Sequence, residues 1–166
     1  MTGQSKITSI KGVGDKRAQL FNKLGVDCVD ALIHFYPRRY IDYSKQVRLC
    51  DCENDAVCCV KARVTTPPKE HFIRRNMVLY KFCAEADGVQ LRVTLFNNKY
   101  LAQKIRLGVE YIFYGKISGN LLVKEMSAPE ILPLDKAIIR PIYRSTANLP
   151  SHMIEKTVAQ ALSDCG

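Results

Sequence analysis

No apolar run in this chain approaches the ~20 residues needed to cross a bilayer, and the opening "MTGQSKITSI" has no hydrophobic signal core. Both absences argue against a membrane or secreted protein and favour the cytoplasm. No Cys-x-x-Cys occurs among the seven cysteines, and the three histidines, at 34, 71 and 152, are scattered. A zinc site or a disulfide framework is therefore not expected. Cys50 and Cys52 alternate, and Cys58 and Cys59 sit together in an apolar run, the placement of reduced thiols buried in strands. The chain also lacks Gly-x-x-x-x-Gly-Lys-Ser/Thr, and "GVGDKR" lacks the third glycine and the preceding strand of a dinucleotide fingerprint. No serine sits in a nucleophile elbow. Catalysis, a resident cofactor and a metal are not expected of this chain.

What is present is a sizeable apolar fraction and a strong positive balance. With 166 residues and 47% hydrophobic content, the chain can bury a core and is not a disordered tail. Its net charge is +9, with Lys and Arg spread along the whole length. Such a field attracts polyanions by counterion release, which points either to nucleic acid or to a merely soluble basic protein.

Residues 1–46 predict a two-helix element. "KGVGDKRAQLFNKLG" follows a Gly-x-Gly turn, with Asp15 as N-cap, Ala18, Phe21 and Leu24 at core spacing, and Gly25 past the end. "VDCVDALIHFYP" repeats the plan, with Asp27 as cap, Val29, Leu32, Ile33 and Tyr36 inward, and Pro37 as the stop. From 47 to 132 the period becomes two, and strands are predicted over 56–64, 76–86, 89–96, 109–117 and 121–131. Asp87-Gly88 and Gly119-Asn120 suit tight hairpins, a helix fits 98–106, and a long loop spans 65–76. Five strands with one helix after the third is the order of an oligonucleotide/oligosaccharide-binding (OB) barrel. Residues 133–166 read as an extended segment and an amphipathic helix from about Ser151, with Ile154, Val158, Ala161 and Leu162 on one side and no obvious internal partner. The expected class is mainly β with helical additions.

Several stretches could contact a polyanion, each with a plainer structural alternative. "SIKGVGDKRAQL" resembles the hairpin of a helix-hairpin-helix element, in which Gly12 and Gly14 let backbone N–H groups approach a phosphate, with Lys11, Lys16 and Arg17 adding charge. The helix before the glycines is at most one turn, so a simple packing turn is the alternative. Arg38 and Arg39 lie between aromatic rings and either bind phosphate or stack on Tyr40 and pair with Asp42. The loop joining the first two strands offers Lys69, His71, Phe72, Arg74 and Arg75, a binding mixture or a solvated basic loop. In "LRVTLFNNKYLAQKIR", Leu91, Val93 and Leu95 alternate inward, which turns Phe96 outward. Tyr100 follows near the edge of the helical stripe of Leu101 and Ile105, amid Arg92, Asn97, Lys99 and Lys104. The two rings are either core or a stacking platform for bases.

"IKGVGDKRAQLFNKLGVDCVDALIHFYPRRYIDYS" (10–44), "TLFNNKYLAQKIRLGVEYIFYGKI" (94–117) and "RPIYRSTANLPSHMIEKTVAQAL" (140–162) together resemble the N-terminal wedge region of the RecG family of bacterial ATP-dependent DNA helicases. The resemblance implies a barrel that grips branched DNA at stalled forks and Holliday junctions and splits the duplex during fork regression and branch migration. It implies Phe96 and Tyr100 as the aromatics that cap separated strands, with branched and single-stranded DNA as partners. It also implies motor domains beyond the last helix, needing ATP and Mg²⁺, so the chain reads as a monomeric fragment that binds DNA, without hydrolysing ATP, in the bacterial cytoplasm with the nucleoid. Two other readings stay open: a general single-stranded nucleic-acid-binding barrel, which would not need the N-terminal helices, and a protein-docking adaptor using the last helix.

Overall fold

A computed structural model of the protein describes residues 5–136 and 138–165. In chain order its elements are α1 (Asp15–Asn22), α2 (Val29–Ile33), β1 (Arg39–Asp42), β2 (Val57–Val64), β3 (Lys69–Arg74), β4 (Met77–Ala86), β5 (Val89–Phe96), α3 (Lys99–Lys104), β6 (Glu110–Gly119), β7 (Val123–Ser127), β8 (Glu130–Pro133), β9 (Ile139–Ile142) and α4 (Ser151–Cys165), with short 3-10 turns between some of them. They form two compact units. One is Asp42–Ile138; the other joins the described residues up to Ile41 with those from Ile139 onward.

The larger unit is the expected closed barrel. β2 pairs with β4, β4 with β5, β5 with β7, β7 with β6, and β6 returns to β2; only β5–β7 is parallel. Alternation along each strand supplies the core. Val60, Ala62 and Val64 of β2, Tyr80, Phe82 and Ala84 of β4, and Leu91, Val93 and Leu95 of β5 point inward with Phe113, Ile117 and Met126. Burying each large apolar side chain contributes about 1.5–3 kcal/mol. The Asp87-Gly88 hairpin has φ of +54° and +75°, the left-handed pair that a two-residue turn between twisted strands requires. At Gly119, φ is +118° and a Cβ would stand 2.3 Å from the Val123 carbonyl oxygen, so the β6–β7 return accepts only glycine there.

Three expectations for this unit change. The loop at 65–76 contains a strand, β3, paired antiparallel with β4. Every residue of β3 is exposed, so it carries no alternating apolar signal. The single strand expected over 121–131 is two, because Ala128 takes a left-handed φ of +49° and Pro129 follows. The helix expected over 98–106 ends at Lys104.

The smaller unit has its own core. Ile7, Ile10, Val13, Phe21, Val26, Val29 and Leu32 from the N-terminal part enclose Tyr143, Leu149, Ile154, Val158 and Ala161 from the C-terminal part. α4 therefore has a partner within the chain, contrary to expectation, and the division at 1–46, 47–132 and 133–166 differs from the two units observed. The caps shift by one residue: Gly14 caps α1, and the Cys28 thiol caps α2 by accepting from the Ala31 N–H at 3.4 Å. Tyr36 is exposed rather than inward, and Phe35 stacks on Tyr143 instead, with ring centroids 6.1 Å apart. No helix among the described residues is long and apolar enough to cross a membrane.

The described cysteines, 28, 50, 52, 58, 59 and 83, are free thiols. Burial, followed by the neighbouring Cys58 thiol, pushes the Cys52 thiol up to about 12. Burial, followed by the charge of Asp42, pushes Cys59 up to about 11. Because the thiolate is the nucleophile, both are expected to resist alkylation at pH 8 in the folded protein and to react once it is unfolded, as read by peptide mass spectrometry. Ile154→Ala is expected to destabilise the smaller unit by about 2–5 kcal/mol in urea unfolding, because it empties a fully enclosed site. A loss within experimental error would mean that α4 is not part of that core.

Candidate nucleic-acid interface

The site begins with the phase of β5. Leu91, Val93 and Leu95 are buried, so Arg92, Thr94 and Phe96 stand on the outer face. The ladders extend that face into rows. Lys69, Lys81, Thr94 and Ser127 lie opposite one another across four strands; Cys83, Arg92 and Glu125 form the row on one side, and His71, Leu79 and Phe96 the row on the other. A groove of about 450 Å³ runs over these rows, lined by Lys69, His71, Lys81, Arg92, Thr94 and Glu125 among others.

The charges of this groove are mostly uncompensated. Arg92 Nη1 lies 3.6 Å from Glu125 Oε1, but both side chains are more than half exposed, so the pair holds weakly. Lys69 and Lys81 face each other directly, and neither takes part in an ion pair among the described residues. Like charges directly opposite across a ladder are destabilising. Lys81 did not figure among the sequence candidates. The strand phase could have found it, because Tyr80 and Phe82 beside it point inward.

The structure divides the β3 candidates between two faces. Glu70 and Phe72 pair with Tyr80 and Val78, so they sit on the reverse side from Lys69 and His71. A bulge between Phe72 and Arg74 then brings Arg74 opposite Met77, back on the groove side. Arg75 is exposed in the turn beside Asn76, whose φ is +67°.

At the end of β5 the backbone changes direction within one residue. Asn97 takes a left-handed φ of +49°, a region asparagine enters at low cost. Its side-chain oxygen accepts the Val78 N–H at 2.8 Å, and its amide nitrogen donates to the Asn76 carbonyl at 3.0 Å. Both ends of the Asn97 amide are thus used inside the fold, which makes it a positioning residue rather than an open donor. Asn98 caps α3 by accepting from the Leu101 N–H at 3.0 Å. The far end of α3 is closed by Tyr111, whose hydroxyl donates to the Lys104 carbonyl at 3.2 Å and accepts from the Arg106 N–H at 3.1 Å. Nothing local in the sequence pointed to Tyr111, because the bond crosses from strand to helix end.

These contacts hold Phe96 at 44% exposure and Tyr100 at 70%. Ala102 and Ile105 face the core instead, with Leu101 half-buried. The Lys104 ammonium lies 4.0 Å from the centroid of the Tyr100 ring, a cation–π contact one helical turn away. Lys99 is exposed beside it. Phe96, Lys99, Tyr100 and Lys104 therefore form one aromatic and cationic corner.

The remaining candidates belong to the smaller unit. Gly12 has φ of +91°, and its carbonyl accepts from Arg17 Nη1. Gly14 leads into α1, where Lys16 is exposed. Among the described residues only one 3-10 turn, Ile7–Ser9, precedes these glycines. Arg38 and Arg39 are exposed at the start of β1. Neither pairs with Asp42, whose carboxylate takes the Ser44 hydroxyl at 2.5 Å and lies 3.8 Å from Lys45 Nζ. The Ser44 bond is the main cause that holds Asp42 below the usual carboxylate value. Among the described residues no three His, Cys, Asp or Glu side chains gather to hold a metal ion.

A family model described as the RecG wedge domain matches residues 6–165. The chain belongs to that family. The ATP-dependent DNA helicase RecG of Streptococcus pneumoniae is 26% identical over 154 residues, covering 92% of this chain and 22% of the relative. RecG of Staphylococcus epidermidis is 26% identical over 163 residues, covering 95% and 24%. The chain thus spans about a quarter of the length of these curated relatives. A solved structure of RecG bound to a three-way DNA junction superposes with a TM-score of 0.83 at 24% identity, over 96% of this chain and 22% of that one. The wedge fold, a closed OB-type barrel with a few helices, is shared between them.

Asn97→Ala is expected to cost about 1–3 kcal/mol, the toll for leaving buried or strand-end polar groups unmatched, plus a penalty for a left-handed alanine. Asn97→Gly removes the same bonds without that strain. Urea unfolding should therefore rank the alanine variant below the glycine variant and both below wild type, and a glycine variant as stable as wild type would remove the positioning role assigned to this side chain.

Proposed function

We propose that this wedge domain binds branched DNA and that its barrel separates strands at the branch, with unpaired bases lying against Phe96 and Tyr100. The observation that carries the reading is the exposure of these two rings at a corner fixed by Asn97, Asn98 and Tyr111. Tyr100, largely open to water, serves the fold only through its contact with Lys104, whereas a base stacked on such a ring contributes about 1–3 kcal/mol. The facing lysines 69 and 81, with Arg92 in the adjoining row, offer a path for the phosphates of a displaced strand. A phosphate between the two lysines would relieve their repulsion. The relative solved on a three-way junction makes a branched substrate the natural one to test.

In this reading the chain acts as a monomer in the bacterial cytoplasm and hydrolyses nothing itself. ATP and Mg²⁺ serve a motor of the kind carried by the RecG helicases, which drives fork regression and branch migration in recombination and repair. A second reading, general single-strand binding, is favoured by the groove over β4 and β5, the usual path of a single strand on an OB barrel. Competition of poly-dT against fork DNA separates the two, because a general binder is displaced equally well by either.

Phe96→Ala combined with Tyr100→Ala is expected to weaken fork binding by about 1–3 kcal/mol per lost base stack while leaving the unfolding curve close to wild type. Fluorescence anisotropy on a fork and a blunt duplex measures this. Equal wild-type affinity for fork and blunt duplex, or unfolding of the double variant, would overturn the reading.

A further inference from the structure

The smaller unit holds a cavity that the barrel reading leaves unused. Lys11 and Gly12 of the glycine turn and Arg17 of α1 form one wall, and His152, Lys156 and Gln160 stand on the α4 wall, enclosing about 460 Å³. Positions 152, 156 and 160 are four residues apart and so fall on one helical stripe. Met153 and Thr157 complete the lining, which contains no carboxylate. Of the acids on α4, Glu155 Oε2 accepts from Arg140 Nε at 3.0 Å, and Asp164, the next position on the same stripe, accepts from Gln160 Nε2 at 2.8 Å without itself joining the lining. Asp15 belongs to the adjoining hollow, together with Lys16.

Three cations therefore line the cavity with no carboxylate among the lining residues. Among the described residues none of Lys11, Arg17 or Lys156 is in an ion pair. Arg17 is oriented, however, since Nη1 donates to the Gly12 carbonyl and leaves the rest of the guanidinium fork available. A fixed fork with two flexible ammonium groups suits the oxygens of a phosphodiester. Apart from the His152 imidazole, the lining has no aromatic ring to stack a base. Such a lining reads charge and not sequence.

We propose that this cavity is a second DNA contact, a clamp in which Lys11, Arg17 and Lys156 hold a backbone phosphate of duplex DNA whatever its bases. The proposal rests on the reading of the chain as a DNA-binding element but shares no residue with the barrel groove. Its role is to anchor paired DNA, where the barrel corner takes unpaired bases.

The test is fluorescence anisotropy of a labelled blunt duplex and a labelled three-way junction across a salt series. Wild type is compared with K11A/K156A, K156A and K11R/K156R. Both lysines are exposed, and circular dichroism checks that each variant folds. The double alanine variant is expected to weaken both probes by the same factor and to flatten the slope of log affinity against log salt by about one unit per lysine. K156A alone should flatten it by about one, and the double arginine variant should keep the wild-type slope. Wild-type affinity and slope in K11A/K156A, or a loss confined to the junction, would overturn the clamp while leaving the barrel reading intact. Failure of the wild type to bind either probe would overturn both.

Discussion

The two-residue repeat of β5, locked by closure of the barrel on both its sides, is the constraint from which the rest of the larger unit follows. With β4 on one edge and β7 on the other, a slip of one residue would turn Leu91, Val93 and Leu95 into water and bury Arg92. The register is therefore held by the whole core. Phe96, next in phase, has only the outside left to it. The left-handed Asn97 then converts that strand into a helix without a loop, so Tyr100 follows at a set rotation from Phe96.

Other aromatics of the larger unit show what a structural ring looks like here. Tyr43 is fully enclosed, its hydroxyl donates to Glu130 at 2.6 Å, and its ring meets Tyr114 edge-on at 5.3 Å. Phe82 and Phe113 pack together within the barrel, with centroids 6.2 Å apart. Lys124 gives the same contrast for charge. It is 5% exposed, and its ammonium donates to the Cys52 carbonyl at 2.7 Å. A buried cation that serves the fold finds an acceptor, whereas Lys69 and Lys81 are left facing one another.

How much could be read in advance depended on how local the physics was. The barrel was legible because alternation in 56–64, 76–86 and 89–96 is a property of each segment alone, and the outward placement of Phe96 came from the same count. β3 was not legible, since a strand exposed on both sides is held only by its ladder to β4. The break at Ala128 was missed in part: its left-handed φ is set by the surroundings, but Pro129 beside it was a breaker that the reading of one strand over 121–131 passed over. The bed for α4 lay more than a hundred residues away, at Ile7, Ile10 and Phe21. Amphipathic spacing shows that a helix has an apolar side but not what covers it. The Tyr36 expectation failed because α2 is only five residues long, too short for a helical stripe to reach that ring.

The smaller unit is discontinuous in sequence, and the barrel is an insertion in its chain between Ile41 and Ile139. That topology sets an order of events as the chain leaves the ribosome. The barrel can close once β7 and β8 have emerged, since all its strands lie in one continuous stretch. Phe21, Val29 and Leu32, synthesised far earlier, must wait for Ile154 and Ala161 before their apolar surface is covered. These N-terminal helices, made before the barrel, thus acquire their native neighbours only after it has been made.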